Sequence, residues 1–402
     1  MKRLLPLSLL LLALFSCDKK EEFQPIDCKY FIEVKDERTF GFDELIQTIA
    51  KNWSEHGRVN SDEFLKNYQS DIEKLRPVYK MQTAYSISYK TVDPFGKEIT
   101  ASGVIYHPAV IQLKGVVEVS SRNVWKEGCA SKQPLTVELL PALNGYLILI
   151  PDLIGMGITE DLPFEAGIYD NIARVHADLR EAAREFLYNK FHKDIPRISY
   201  IFGYSMAGGN ALSLGRYYDL HPERNVKVMD IYTGGGTYNL KTTLDELLEA
   251  GEANYPFLAI VLHSLNYYRN LGIKPEDLFR GKLLEDYEDM CSGSKNVVEL
   301  TQLLGTHIED YLNLDQLRPG QETYERLMQE ADKLSISPEW MPSAPVHLFH
   351  AQRDKYVPPT SAENLAEAWK KAGANVTYTP VDTDDHLNTF FVVAKALLEK
   401  LL

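Results

Sequence analysis

Ile198-Ser199-Tyr200-Ile201-Phe202-Gly203-Tyr204-Ser205-Met206-Ala207-Gly208-Gly209 decides how the rest of the chain is read. The run Ile198 to Phe202 has the length and apolar character of a buried strand, and the run Met206 to Tyr218 suits a helix. Between them stands a serine, with Gly203 two residues before it and Ala207 two residues after. Small residues at those positions let strand and helix backbones come close and hold the serine in a sharp, strained turn. Gly203-Tyr204-Ser205-Met206-Ala207 is therefore a nucleophile-elbow candidate, with alanine where glycine is usual. Its flanks carry the reading, because the bare pattern also fits a glycine-rich turn in which Ser205 merely caps a helix.

A serine hydroxyl is a poor nucleophile until a base takes its proton, and that base must be oriented by a carboxylate. On a strand–helix scaffold of this kind the order along the chain is Ser, acid, His. Val346 to His350 reads as a strand, and Asp354 follows it in a loop at the strand's carboxyl end. Val376 to Val381 reads as the last strand, and Asp382-Thr383-Asp384-Asp385-His386-Leu387 follows it directly before a final helix. His386 is thus the expected base and Asp354 its orienting acid. His347 and His350 lie within a strand and read as core histidines, while His176 and His263 fall on helices. Asp384 and Asp385 are too near His386 in one tight turn to reach its ring, and read as solvated or as caps of the last helix.

An oxyanion needs backbone donors. The N–H of Met206 is one expectation. The second should come from the loop after the strand Val116 to Ser120, where Ser120, Ser121 and Arg122 stand. That loop lacks a His-Gly pair, so a side chain such as Ser120 or Ser121 stays open as the contributor.

The surroundings alternate strand and helix. Tyr85, Ile87 and Tyr89 alternate with polar residues, Asp93-Pro94-Phe95-Gly96 is a turn, and Ile99 to Tyr106 is the returning strand. Tyr146 to Ile150 and Val226 to Tyr232 are further buried strands. Ile172, Val175, Leu179, Ala182 and Phe186 repeat at helical steps. This rhythm predicts an α/β fold, a mostly parallel sheet with helices on both faces. From 237 to 341 the rhythm lapses into a Leu- and Tyr-rich helical stretch, read as a cap inserted over the carboxyl ends of the strands. Thr360-Ser361-Ala362-Glu363 reads as a capping box. Phe42, Leu45, Ile46, Ile49, Ala50 and Trp53 share one helical face, and Asn60 to Leu75 reads as a second helix stopped before Pro77. The expected organisation is a signal peptide over 1–16, a tether and helical arm over 17–80, core over 81–236, cap over 237–341 and core again over 342–402.

The chain has 402 residues, 45% hydrophobic and 25% charged, the balance of a globular protein. Its net charge of -14 and the lack of a concentrated Lys/Arg stripe exclude a nucleic-acid partner that needs phosphates neutralised. Lys2 and Arg3 precede an apolar run, Leu4 to Phe15, too short for a comfortable membrane span and shaped like a signal peptide. The run ends in Leu14-Phe15-Ser16-Cys17, which resembles a lipobox and predicts lipidation of Cys17, with a simple secretory signal and an incidental cysteine as the open alternative. The chain is then an exported lipoprotein held at an outer membrane or cell surface through its lipid. Cys28, Cys129 and Cys291 remain, an odd number that allows one bridge and one free thiol, and their spacing matches no zinc site.

Together these pieces resemble the α/β-hydrolase superfamily and, within it, the secretory lipase (lipase A-like) family, from about Tyr79 to the C-terminus. Three stretches carry the resemblance: Tyr89 to Pro108 as an opening hairpin, Gly145-Tyr146 through Pro151-Asp152-Leu153-Ile154-Gly155-Met156-Gly157, and Asp354-Lys355-Tyr356-Val357-Pro358 as the acid loop. The resemblance implies a sheet of about eight strands, a helical cap after the sixth, and ester hydrolysis of a small-molecule substrate without cofactor or metal. It carries the catalytic roles to Ser205, Asp354 and His386, and gives Asp152 a bracing role. Ala207 and the Ser120-Ser121 loop depart from the pattern. Two readings stay open beside it: a serine exopeptidase holding a free N-terminus through cap acids such as Glu252 or Glu309, and a surface-binding homologue without catalysis.

Overall fold

The computed structural model describes residues 23–55, 60–121 and 123–402, so the lipobox with Cys17, as well as Arg122, lies outside the described residues. Nine strands form one sheet: β1 (Phe31–Phe40), β2 (Gln82–Val92), β3 (Glu98–Pro108), β4 (Val116–Val119), β5 (Leu147–Pro151), β6 (Ile198–Tyr204), β7 (Lys227–Gly234), β8 (Val346–Ala351) and β9 (Val376–Val381). Their spatial order is β1-β2-β3-β5-β4-β6-β7-β8-β9. The strands from β5 to β9 in that order run parallel, and β1, β2 and β3 join them antiparallel.

The sheet exceeds the expected eight strands by β1, at its edge. Its sequence, Phe31-Ile32-Glu33-Val34-Lys35-Asp36-Glu37-Arg38-Thr39-Phe40, is too charged to read as a strand from pattern. It pairs with β2 from Phe31↔Tyr89 to Phe40↔Gln82, and its charged outer side suits an edge that must not recruit another chain. The segment before it is fixed by Glu185, whose carboxylate accepts the N–H groups of Lys29, Tyr30 and Phe31 at 2.9 Å each.

The helical arm is α1 (Phe42–Glu55), α2 (Ser61–Asn67) and α3 (Gln69–Leu75). The single helix expected over Asn60 to Leu75 is broken at Tyr68, which has left helical geometry (φ -106°, ψ 10°). Asn60 caps α2 by accepting the N–H of Glu63. Phe42, Leu45, Ile46, Ile49 and Ala50 are buried, as their shared face requires. The core helices are α4 (Tyr169–Phe191) and α5 (Met206–Leu220). Between β7 and β8 come α6 (Leu240–Ala250), α7 (Phe257–Tyr268), the short α8 (Pro275–Leu278), α9 (Gly281–Glu285) and α10 (Tyr287–Met290), then α11 (Val297–Leu304) and α12 (Glu322–Leu334). The chain closes with α13 (Thr360–Ala372) and α14 (His386–Leu401).

The capping box expected at Thr360 to Glu363 is not formed. Pro359 is the N-cap residue, and its carbonyl takes the N–H groups of Ala362 and Glu363, leaving Thr360 inside the helix. Asp385, in contrast, caps α14 by accepting from Leu387 and Asn388 at 2.9 Å. Cys28, Cys129 and Cys291 are all free thiols, so the single bridge that their number allows is absent among the described residues.

The apolar faces of α4 and of the cap helices bury one large cluster against the sheet, and α1 and α14 bury a second, including Phe40, Tyr106, Phe202 and Phe390. This burial is the main stabilising term of such a fold. The strand order reverses at β4, which lies between β5 and β6. Ligand sites of open α/β sheets form at such a reversal, beyond the carboxyl ends of the strands. Val119 of β4 pairs with Phe202 of β6, so the loop after β4 and the turn after β6 emerge side by side.

Candidate active site

Ser205 sits between the end of β6 and the start of α5 with φ 60° and ψ -131°, a region non-glycine residues rarely enter. The turn is tight because Gly203 has no side chain and because Gly208 packs against Gly236, where an added Cβ would lie 2.8 Å from the Gly236 Cα. The Ser205 N–H donates to Gly234 at 2.8 Å, and Gly208 donates back to the Ser205 carbonyl at 2.7 Å. Among the described residues the N–H of Met206, first in α5, has no partner. It is one of the orphan donors that every helix start presents, at the positive end of the helix dipole.

Asp354 leaves the end of β8, and His386 is the first residue of α14 after β9. The ring of His386 reaches back across the end of β7. Gly235 makes room for it, since a Cβ there would stand 2.9 Å from His386 Cε1. His386 Nε2 lies 2.8 Å from Ser205 Oγ, and its Nδ1 lies 2.6 Å from Asp354 Oδ2. The three side chains that chain order nominated thus share one hydrogen-bonded line. The Nδ1–H donates to the carboxylate, which leaves Nε2 as the acceptor of the serine hydroxyl.

The other Asp354 oxygen, Oδ1, accepts the N–H groups of Tyr356 at 2.8 Å and Val357 at 3.0 Å. Burial alone would raise its pKa, but hydrogen bonds from His350 and His386 hold it well below the usual carboxylate range. Tyr356 stacks on the His386 ring at 5.3 Å, and the Tyr204 hydroxyl donates to the His386 carbonyl.

The profile of the secretory lipase family matches residues 132–401. The chain belongs to the secretory lipase family. The chain also resembles solved structures at low identity. An inferred hydrolase of Legionella pneumophila aligns with TM-score 0.76 and 18% identity, over 93% of this chain and 97% of its own. The rice cell wall degrading esterase LipA of Xanthomonas oryzae aligns at 0.73 and 17%, over 92% and 99%. Candida antarctica lipase A in its closed state aligns at 0.57 and 12%, over 92% and 83%. At these identities the likeness speaks for the α/β-hydrolase fold alone. No curated protein sequence matches the chain. Family membership makes it a lipase-like hydrolase and implies export. Among the described residues no helix is long and apolar enough to cross a membrane, and no cluster of His, Cys, Asp and Glu could hold a metal ion.

A cavity of about 100 Å³ opens over Ser205 and His386. The cap supplies Leu247, Tyr255, Phe257 and Val297 to its wall, and the acid loop supplies Tyr356 and Val357. A second cavity of about 150 Å³ shares Val124 and Val297 with it and includes Ser121. Glu252 and Glu309 are exposed and line neither; Glu252 faces His307 at 3.6 Å.

The two serines after β4 differ. The N–H of Ser120 is spent on Phe202 at 3.0 Å, and its hydroxyl accepts from Asn210 at 3.0 Å. The N–H of Ser121 has no partner among the described residues, while its hydroxyl accepts from Asn123. Asp152 accepts from the Ser102 hydroxyl at 2.6 Å and from the Ser131 N–H at 3.2 Å, which ties the loop after β5 to β3. His347 pairs with Asp230 at 3.0 Å, and the burial of His176 drives its pKa down to about 3; neither lies at Ser205. Sequence reasoning missed Gly235, Tyr356 and His350. The run Gly234-Gly235-Gly236 at the end of a strand was the available signal for the first.

Proposed function

We propose that this protein hydrolyses carboxylic esters through an acyl-enzyme on Ser205, with His386 as general base and Asp354 as orienting acid. The observation that carries the reading is the unbroken line Asp354–His386–Ser205, at 2.6 and 2.8 Å, beneath an apolar cavity. His386 Nε2 takes the hydroxyl proton as Oγ attacks the ester carbonyl carbon. The carbonyl oxygen becomes an oxyanion facing the N–H of Met206, with the N–H of Ser121 in the loop after β4 as the second donor; among the described residues both are without a partner. The intermediate collapses, the C–O bond to the alcohol breaks, and His386 returns the proton to the leaving oxygen. Water, deprotonated by the same nitrogen, then attacks the acyl carbon and releases the acid and the serine. The substrate is a small-molecule ester whose acyl part suits the apolar wall of Leu247, Phe257 and Val297.

Turnover of p-nitrophenyl esters of graded acyl length tests this reading, with labelling of Ser205 by a fluorophosphonate. Ser205→Ala turning over as fast as the wild type, or an unlabelled Ser205 in active protein, would overturn it. The anchor is part of the same proposal. Cys17 carries lipid and holds the enzyme at the outer membrane or cell surface, supported by the basic start, apolar run and Leu14-Phe15-Ser16-Cys17. Cys17→Ala should move the protein from the membrane to the soluble fraction; an unchanged membrane fraction would count against lipidation.

A further inference from the structure

Asp354 is held by two imidazoles, and only one belongs to the catalytic line. His350, in β8, is fully buried. Its Nε2 lies 2.9 Å from the Val357 carbonyl oxygen and 3.4 Å from Asp354 Oδ2, the oxygen that also serves His386. A carbonyl only accepts, so Nε2 carries the proton. The other nitrogen, Nδ1, is buried with no hydrogen-bond partner among the described residues. A cationic ring would bury an unpaired N–H donor there, so the ring is the neutral Nε2–H tautomer.

The contacts close into a ring. Val357 donates its N–H to Asp354 Oδ1, its carbonyl receives His350 Nε2–H, and the same N–H leans on Asp354 Oδ2. The carboxylate therefore cannot turn without breaking the acid loop's tie to β8.

We infer that His350 is a positioning residue of the hydrolytic site: it holds the acid loop through the Val357 carbonyl and so aims Asp354 at His386. The inference rests on the proposed roles of Ser205, His386 and Asp354. The other titratable groups around the pair are accounted for. Tyr356 stacks on His386 and Tyr204 donates to its carbonyl. Arg353 pairs with Asp382 and Lys355 with Asp384, all four exposed or half-exposed on the two flanking loops.

The tests are the pH profile of kcat/KM for p-nitrophenyl butyrate in His350→Phe and His350→Gln, and the ring-nitrogen NMR signals of ¹⁵N-histidine wild-type enzyme. Removing His350 frees the acid loop and lets Asp354 turn from His386, so in His350→Phe the acidic limb should move. Its kcat should fall roughly tenfold with KM little changed. Gln carries an N–H near the Nε2 position and should restore the limb and most of kcat. In the wild type the buried His350 should show the Nε2–H tautomer. An unmoved limb with full kcat in His350→Phe, or a wild-type His350 found cationic or as the Nδ1–H tautomer, would overturn the inference. The NMR arm needs no folded variant. If Asp354→Asn and Ser205→Ala abolish turnover while His350→Phe changes nothing, the inference fails and the hydrolytic reading stands. Undiminished turnover in Ser205→Ala would instead remove that reading.

Discussion

A Cβ on Gly203 would stand 2.1 Å from the carbonyl oxygen of Ala207. The obstacle is backbone, and it belongs to the helix whose first turn carries the nucleophile, so it cannot swing aside. Gly203→Ala must open the elbow or not fold, and overpacking of this kind costs about 1–3 kcal/mol. We expect a lower melting temperature and loss of fluorophosphonate labelling together. Ala207→Gly meets no such obstacle and should cost about 0.5–1 kcal/mol through backbone entropy, with kcat/KM nearly kept. Equal behaviour of the two variants would remove the elbow argument.

Asp354→Asn tests the acid. Oδ2 now accepts from His386 Nδ1–H, with His350 Nε2 3.4 Å away, while Oδ1 accepts two backbone N–H groups. An amide offers one oxygen and one NH₂, so at least one of these donors meets another donor. The least costly escape is for His386 to change tautomer and present an N–H to Ser205, which then has no base. We expect kcat to fall by about 10⁴-fold with modest change in KM. A loss under tenfold would mean that Asp354 does not orient the base.

Glu165 gives a pH prediction independent of catalysis. It is fully buried, accepts the N–H of Ile154 at 2.8 Å and the Asn171 amide at 2.7 Å, and burial pushes its pKa up to about 8. The unfolded chain releases this proton near 4.5. Across the window between those values the folded state binds more protons, so stability declines as pH rises and levels off above it. Glu165→Gln has no proton to lose, and the Asn171 amide can turn to meet it. The variant's melting temperature should fall less than that of the wild type between about pH 5 and pH 8. Parallel curves would show that Glu165 is not the group responsible.

The parts of the site that obey chain order were legible. Ser205, Asp354 and His386 each follow a strand readable from its own residues, and a parallel sheet brings such strand ends to one edge. What depends on partners distant in sequence was not legible. His350 looks like a core histidine until the acid loop folds back on it, and Gly235 matters only because a ring from 151 positions later lies over it (386 − 235 = 151). β1 was hidden for another reason. An edge strand needs apolar residues on little of its surface, and its charges read as tether. The capping box failed because Pro359 already supplied the carbonyl that starts the helix.

The choice between the two serines after β4 is open to experiment. The Ser120 N–H completes the ladder to Phe202, and its hydroxyl accepts from Nδ2 of the fully buried Asn210. The Ser120 N–H is spent and the Ser121 N–H has no partner among the described residues, while the Ser120 hydroxyl, which accepts from Asn210, keeps its own proton to donate. Ser120→Ala would then strand the Asn210 amide, at about 1–3 kcal/mol. The expected result is a lower melting temperature with kcat within about fivefold of the wild type, because an unsatisfied amide within α5 weakens the fold without removing a transition-state contact. Loss of an oxyanion donor costs about 10²–10³ in kcat. A fall of that size in Ser120→Ala, at unchanged KM, would transfer the role to the Ser120 hydroxyl, which can donate to an oxyanion while it accepts from Asn210.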